Sequence, residues 1–399
     1  MALNAISSST ADQLFSAIGN QQSQFQALSQ AALSRGADRA LQKDYDGAAT
    51  EFRRAISFDP SPDNAVQALD LLATVYLQAD KPDEAMKAYQ SSIAIDPSND
   101  ATHLKLGNIY FSNGSYSEAE KEYKTAVTIS PSSSADILSL GQAYLSEGRY
   151  QDAEASFQKV TSLDPGHYAG YYAFGQTYYK EGKLDDAVKQ FEKVAELKPD
   201  FYDVAVDLGS AYADLKMTDQ AQEQLDTLNA NKPDLAPLLS TYMEQAASPQ
   251  FSAVYNLTGF NDTLGPGTRL YDLVSSLGTP NGVAQCTMLF SFNKEMDSAS
   301  IQNPYNWSIS RSAATSPEGP YNWGLPVAQT EATISPVPAS VVYHPDSRSA
   351  EVTFFVSQNA DLSATLDPSH LVFKFGGKDV YGNSMDAAAD EYNGISKIA

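Results

Sequence analysis

From about residue 29 to residue 247, apolar side chains recur at spacings of three and four, the pattern of amphipathic helices, and prolines interrupt it at a steady interval. The prolines are Pro60, Pro97, Pro131, Pro165, Pro199 and Pro233, at successive intervals of 37, 34, 34, 34 and 34. With each proline set at position 32 of a 34-residue unit, the units start at Ser29, Val66, Asp100, Ser134, Tyr168 and Tyr202. Position 8 then reads Gly36, Ala73, Gly107, Gly141, Gly175 and Gly209, and position 20 reads Ala48, Ala85, Ala119, Ala153, Ala187 and Ala221. Position 11 reads Arg39, Tyr76, Tyr110, Tyr144, Tyr178 and Tyr212, and position 24 reads Phe52, Tyr89, Tyr123, Phe157, Phe191 and Leu225. Small residues at 8 and 20 let two antiparallel helices approach, while the large side chains at 11 and 24 fill the space beside them. The pattern predicts six helical hairpins, each stopped by a proline that lacks an N–H and fixes φ. The wider interval between Pro60 and Pro97 predicts a longer turn around 61–64. Asp234, Leu235, Leu238, Leu239 and Met243 predict a capping helix over 234–247.

A 34-residue period with these columns resembles the tetratricopeptide-repeat family over about 205 residues. Arg39 and Leu225 depart from the pattern in the first and last units, where terminal repeats are atypical. The resemblance implies an all-α solenoid whose hairpins bury their apolar faces against one another. It also implies a concave wall lined by positions 2, 5, 9 and 12 of each first helix. There, Leu104, Leu138, Tyr172 and Val206 at position 5 and Phe111, Leu145 and Tyr179 at position 12 form apolar columns. They flank polar positions 9, namely Asn108, Gln142, Gln176 and Ser210. Such a wall suits a polypeptide segment, with amides for its backbone and apolar columns for its side chains. The alternative is that the chain's own N-terminal segment or capping helix covers the columns. Relatives that grip a chaperone carboxylate use Lys at position 5 with Asn at position 9; here Asn108 is preceded by Leu104, so that partner class is disfavoured.

Beyond residue 250 the helical spacing stops and short alternating runs appear between turn residues, predicting strands at 252–257, 286–292, 306–310, 339–343, 351–356 and 371–375. Runs spaced in this way suggest an antiparallel sandwich of immunoglobulin type. Phe290–Ile301, Asn306–Ile309, Val342–Arg348 and Asp379–Asn383 resemble the bacterial immunoglobulin-like domain of surface-layer and adhesion proteins. The expected organisation is a leader over 1–28, the solenoid with its capping helix over 29–247, a linker with first strands over 248–280, and an all-β sandwich over 281–399.

Composition narrows the function. The 399 residues carry 26 Lys plus Arg against 49 Asp plus Glu, a net charge of −23, which repels nucleic acid and anionic lipid. No stretch of the sequence has the length and apolarity of a membrane span, so no membrane insertion is expected. The stretch from Met1 to Gln30, Ser- and Gln-rich with sparse Leu14, Phe15, Ile18, Phe25 and Leu28, lacks the features of a secretory signal. Thr10 and Gln13 fit a capping box there. The immunoglobulin-like resemblance implies an extracellular or cell-surface location without a cleaved signal; a cytoplasmic one is the alternative. The four histidines are scattered, Cys286 is alone, and no glycine-rich phosphate loop is present, so neither an enzyme nor a cofactor is expected. Asp379, Asn383, Asp386 and Asp390 are the only calcium candidates, and such residues more often cap turns. Two functions remain: a scaffold binding a protein or peptide in the concave groove, or a homo-oligomeric surface protein joined head to tail through the N-terminal segment and the sandwich.

Overall fold

Each proline of the series stands two residues beyond a helix end, and the residue before it has φ between −122° and −148°. This is the steric effect of the pyrrolidine ring, which drives its predecessor out of the helical region. The computed structural model describes residues 8–313, 315–316, 319–394 and 397–398, with side chains from residue 19 to 394. The chain divides into two compact units, one ending at Ala236 and the other beginning at Pro237.

The first unit contains the six expected hairpins. They are α1 (Ser8–Leu41) with α2 (Tyr45–Phe58), α3 (Pro62–Gln78) with α4 (Pro82–Ile95), and α5 (Asp100–Ser112) with α6 (Tyr116–Ile129). Then follow α7 (Ser134–Ser146) with α8 (Tyr150–Leu163), α9 (Tyr168–Glu181) with α10 (Leu184–Leu197), and α11 (Asp203–Asp214) with α12 (Thr218–Asn231). Inside each of four hairpins an aromatic ring packs directly against bare backbone. A methyl group added at Gly36, Gly107, Gly141 or Gly175 would stand 2.5 or 2.6 Å from Cε1 of Phe52, Tyr123, Phe157 or Phe191. Those four rings are buried. In the second hairpin the same place is taken by Ala73, in one core with buried Tyr89.

Two expectations are corrected. Residues 8–28 are not a separate leader, because α1 runs unbroken for 34 residues and includes Thr10, the predicted cap. The wider interval after Pro60 does not form a longer turn either. Pro62 opens α3 ahead of Val66, because its fixed φ and missing N–H suit the first helical position. Asn64, now inside the helix and buried, donates to the carbonyls of Ala55 and Asp59 at the end of α2 and accepts from Ser29 Oγ.

Neighbouring hairpins are further joined by cations at position 16. Arg149 meets Glu120 of the preceding hairpin at 2.9 Å and covers the Tyr144 ring, and Lys183 meets Glu154 at 2.7 Å beside Tyr178. Half-exposed pairs of this kind contribute no more than about 1 kcal/mol each, so they set register while the buried rings supply stability.

The second unit begins inside α13 (Ala236–Ala246), the helix expected over 234–247. Two four-stranded antiparallel sheets follow. The first has the order β1 (Phe251–Asn256), β3 (Val283–Phe292), β6 (Ser349–Ser357), β5 (Ser340–His344). The second runs β10 (Lys397–Ile398), β9 (Glu391–Asn393), β8 (Leu371–Phe375), β4 (Trp307–Arg311). A two-residue pair, β2 (Thr268–Arg269) with β7 (Thr365–Leu366), stands beside them. Phe290 of the first sheet and Trp307, Phe373 and Phe375 of the second share one core, with Phe290 and Trp307 ring centres 5.1 Å apart. Lys294 holds α13 to this body. Its ammonium donates to the carbonyls of Glu244, Gln245 and Ala247 and pairs at 2.8 Å with buried Asp379.

The ring contact predicts graded effects at one glycine. Gly141→Ala should change stability by no more than about 1 kcal/mol, since Ala73 shows that the ring can shift and alanine favours the helix. Gly141→Leu should cost about 1–3 kcal/mol by overpacking against Phe157. Urea denaturation midpoints check this, and equal midpoints for the two variants would remove the ring–backbone approach as the determinant.

Candidate functional site

The inner helices α5, α7, α9 and α11 expose one column at each third or fourth residue. Phe111, Leu145 and Tyr179 stand in register, one from each of three successive hairpins, and each is half-buried. With Gln142, Ser146, Gln176, Lys180, Phe191 and Asp207 they line a groove of about 470 Å³. Five of the sequence-predicted residues thus meet in one place: Phe111, Gln142, Leu145, Gln176 and Tyr179. Leu104 and Leu138 flank it, half-buried against the hairpin core. Tyr172 lies behind it, its ring 5.0 Å from Phe201. Val206 is half-buried, while Ser210 is buried with its hydroxyl donating to the Val206 carbonyl.

The polar column is not uniform. Gln142 is exposed, and among the described residues no hydrogen bond holds its amide. Asn108 is exposed, but its Oδ1 accepts from the Tyr123 hydroxyl at 2.8 Å. Gln176 donates weakly to Asp207 at 3.4 Å, and the Tyr172 hydroxyl donates to the same carboxylate oxygen at 2.7 Å. Burial holds the Asp207 carboxyl above its ordinary range, and these two donors only partly offset it. Burial, then the neighbouring Asp207, likewise raises the Tyr172 hydroxyl. Tyr179 donates to Asp214 at 2.7 Å.

Asp207 and Asp214 are absent from the sequence-derived wall because they sit at positions 6 and 13, one step off the columns. The signal that finds them is a spacing of 35, one more than the period. Tyr172 meets Asp207, Tyr179 meets Asp214 and Asp70 meets Lys105, each across 35 residues. Position 5 of one unit thus faces position 6 of the next, and position 12 faces position 13. Only the Asp70 contact is an ion pair, at 2.9 Å.

Elsewhere the second unit brings Asp367, Ser369 and His370 together, all buried. Ser369 Oγ and the Asp367 carboxylate both meet the same imidazole nitrogen, Nδ1, at 3.2 and 2.9 Å. A hydrolytic relay uses opposite nitrogens of the ring, so this cluster is a structural one. Among the described residues no three potential ligands stand together as a metal site. The calcium candidates are engaged by other side chains or by one another. Asp379 takes Lys294, Asn383 and the Tyr381 amide; Asp386 takes Gln250; Asp390 faces Lys374. For Asp379, burial pushes the carboxyl up, but the bonds from Asn383 and Lys294 outweigh it and hold it low.

A solenoid of short helical hairpins with an accessible inner wall is the architecture of helical-repeat proteins. The repeats here are tetratricopeptide repeats: the model of that family matches residues 76–142, 144–195 and 178–242. Among solved structures, MamA is 25% identical, over 41% of this chain and 94% of its own, with a TM-score of 0.38. A pilF structure from Pseudomonas aeruginosa is 21% identical, over 55% of this chain and 99% of its own, with a TM-score of 0.46. YrrB, a TPR protein with an unusual peptide-binding site, is 23% identical over 48% and 96%, with a TM-score of 0.40. No curated protein matches the chain. Among the described residues no helix is long and apolar enough to cross a membrane.

The raised Asp207 carboxyl has a sign that can be measured. The folded chain keeps its proton to a higher pH than the unfolded chain, so this group favours folding at low pH. That contribution is lost as pH rises through the folded value. Asp207→Asn, neutral throughout, should therefore melt above the wild type at pH 7, and the difference should close as the pH falls below the ordinary carboxylate range. A higher wild-type melting temperature at pH 7 would show that the ionised carboxylate is net stabilised instead.

Proposed function

We propose that the chain is a non-enzymatic protein-interaction scaffold whose concave wall holds an extended segment of another polypeptide. The observation that carries this reading is the groove around Gln142: a solvent-exposed amide that no hydrogen bond holds among the described residues, flanked by Phe111, Leu145 and Tyr179, which keep part of their apolar surface in water. An amide in that setting gains a partner when an extended backbone lies beside it, and the half-buried columns gain burial from alternate side chains of the same strand. At roughly 25 cal/mol per Å² of apolar surface removed from water, the columns supply affinity, and the amide fixes orientation. The reading extends to the second unit, whose two antiparallel sheets around buried Trp307 we take as an immunoglobulin-like sandwich serving as a further contact surface or spacer. Its support is the shared aromatic core and the alternation of buried with partly or fully exposed residues along β6 and of buried with half-buried ones along β8.

The test uses peptides selected from a random displayed library against the full chain. Selected peptides should lose at least about tenfold in affinity on Leu145→Asp, equivalent to about 1.4 kcal/mol. They should lose several-fold on Gln142→Ala, with circular dichroism and melting unchanged. Equal affinity for all three proteins would place peptide binding away from the wall.

A further inference from the structure

In the second unit, every residue from Trp323 to Thr330 is exposed, and three of them are large and apolar: Trp323 at 71%, Leu325 at 60% and Val327 at 47%. The backbone at the tip is unusual. Asn322, Trp323 and Gly324 are all left-handed, with φ of 50°, 54° and 76°. Glycine adopts that region freely, whereas a tryptophan there carries a steric cost. Below the tip the loop is anchored. Buried Tyr321 donates its hydroxyl to Glu331 and accepts from the Asp367 N–H, and the Asn322 N–H donates to the buried Asp367 carboxylate at 2.7 Å. Among the described residues the Trp323 indole makes no hydrogen bond and no ring contact. The fold therefore holds a bulky ring out in water on a backbone that favours glycine, and no contact among the described residues offsets the cost. Strain kept in this way belongs to sites that meet something else, and tryptophan is foremost among the anchors of interfaces.

Charge narrows what the tip meets. Two copies of a chain with net charge −23 repel over most approaches. Residues 319–330 carry no charged side chain, and the groove around Gln142 carries one of each sign, Lys180 and Asp207. Through these two neutral surfaces one copy approaches another at least cost. Their chemistry matches as well. Leu325 is extended, with φ −74° and ψ 151°, and Val327 spends neither its N–H nor its C=O on a hydrogen bond among the described residues. The groove offers Phe111, Leu145 and Tyr179 to apolar side chains and the Gln142 amide to a free backbone.

We propose that the segment held by the inner wall is the Trp323–Val327 tip of a second copy of this chain, an inference that rests on the wall being a polypeptide site. The contact is heterologous: the groove of one copy takes the tip of the next, and each added copy brings a further groove and a further tip. Assembly then proceeds head to tail, closing into a ring or growing as an open filament according to the rotation between copies.

Light scattering should give the wild type a mass that rises above 43.0 kDa with concentration, while Trp323→Gly and Leu145→Asp each stay at the single-chain mass. Trp323→Gly removes the ring and relieves the backbone, so it should melt no lower than the wild type. An equimolar mixture of the two variants should form a pair of twice the single-chain mass and stop there, because only the groove of one and the tip of the other are intact. Fluorescence reads the tip directly. Of the two tryptophans Trp307 is buried and Trp323 exposed, so iodide quenching of the wild type should fall as its mass rises. A wild type that stays at the single-chain mass, a Trp323→Gly chain that assembles as the wild type does, or a mixture that remains monomeric would each overturn the proposal. If library-selected peptides still lose affinity on Leu145→Asp in such a case, the wall remains a site for a different polypeptide; if they do not, the reading of the wall falls as well.

Discussion

The solenoid depends on one contact repeated along it: the close approach of an aromatic ring to a helix backbone that in four hairpins carries no side chain at that point. Because the rings of Phe52, Tyr123, Phe157 and Phe191 occupy the space a Cβ would take, the two helices of each of these hairpins are fixed in both distance and rotation. That rotation decides which side of the first helix faces the next hairpin and which remains on the inner wall. Interiors are close-packed and do not deform smoothly, so an error in the ring contact is passed to the wall as a change of curvature. The proline at each hairpin's end does the complementary task. It stops the second helix and holds the preceding residue extended, so that successive hairpins start from the same geometry.

This division explains what the sequence made legible. The ring contact and the proline are both local in sequence and recur on one period, so six hairpins were visible as columns of Gly, Ala, aromatic and Pro. The groove residues followed from the same ruler. What the columns hid lies off the ruler. The contacts of Asp207 and Asp214 run at the period plus one, because adjacent hairpins are rotated as well as translated, and a reading confined to single columns passes over them. The extra residues between Pro60 and Pro97 were read as a longer turn, although Pro62 among them starts a helix, as a proline can. The long α1 was hidden by composition: Ser, Gln and Asn with sparse apolar residues resemble a frayed leader.

In the second unit the six strands with clear alternation were legible to within a few positions. The strands β2, β7, β9 and β10 were not, since runs so short carry no period. The role of Lys294 was equally hidden. Its partners are the carbonyls at the end of α13, far before it in the sequence, and the carboxylate of Asp379, farther still beyond it. Removing one member of such a buried set leaves an uncompensated charge, a penalty of about 3–5 kcal/mol, and long-range sets of this kind leave no trace in local pattern.

The inner wall is unequal along its length, and the inequality bears on how it can recognise anything. At its far end Tyr172, Gln176 and Tyr179 already spend their donors on Asp207 and Asp214, so an occupant reaching those carboxylates must displace a hydroxyl at 2.7 Å and recover its bond. At Gln142, exposed and without a hydrogen bond among the described residues, only solvent is displaced. At Tyr172 and Tyr179 an occupant must first break an intramolecular bond to a carboxylate, whereas at the exposed Gln142 amide the exchange is against solvent, a net gain of about 0.5–1.5 kcal/mol. On the proposed reading, discrimination between segments concentrates around the third and fourth hairpins, where Phe111 and Gln142 lie, while the tyrosines of the fifth are already held by carboxylates of the sixth.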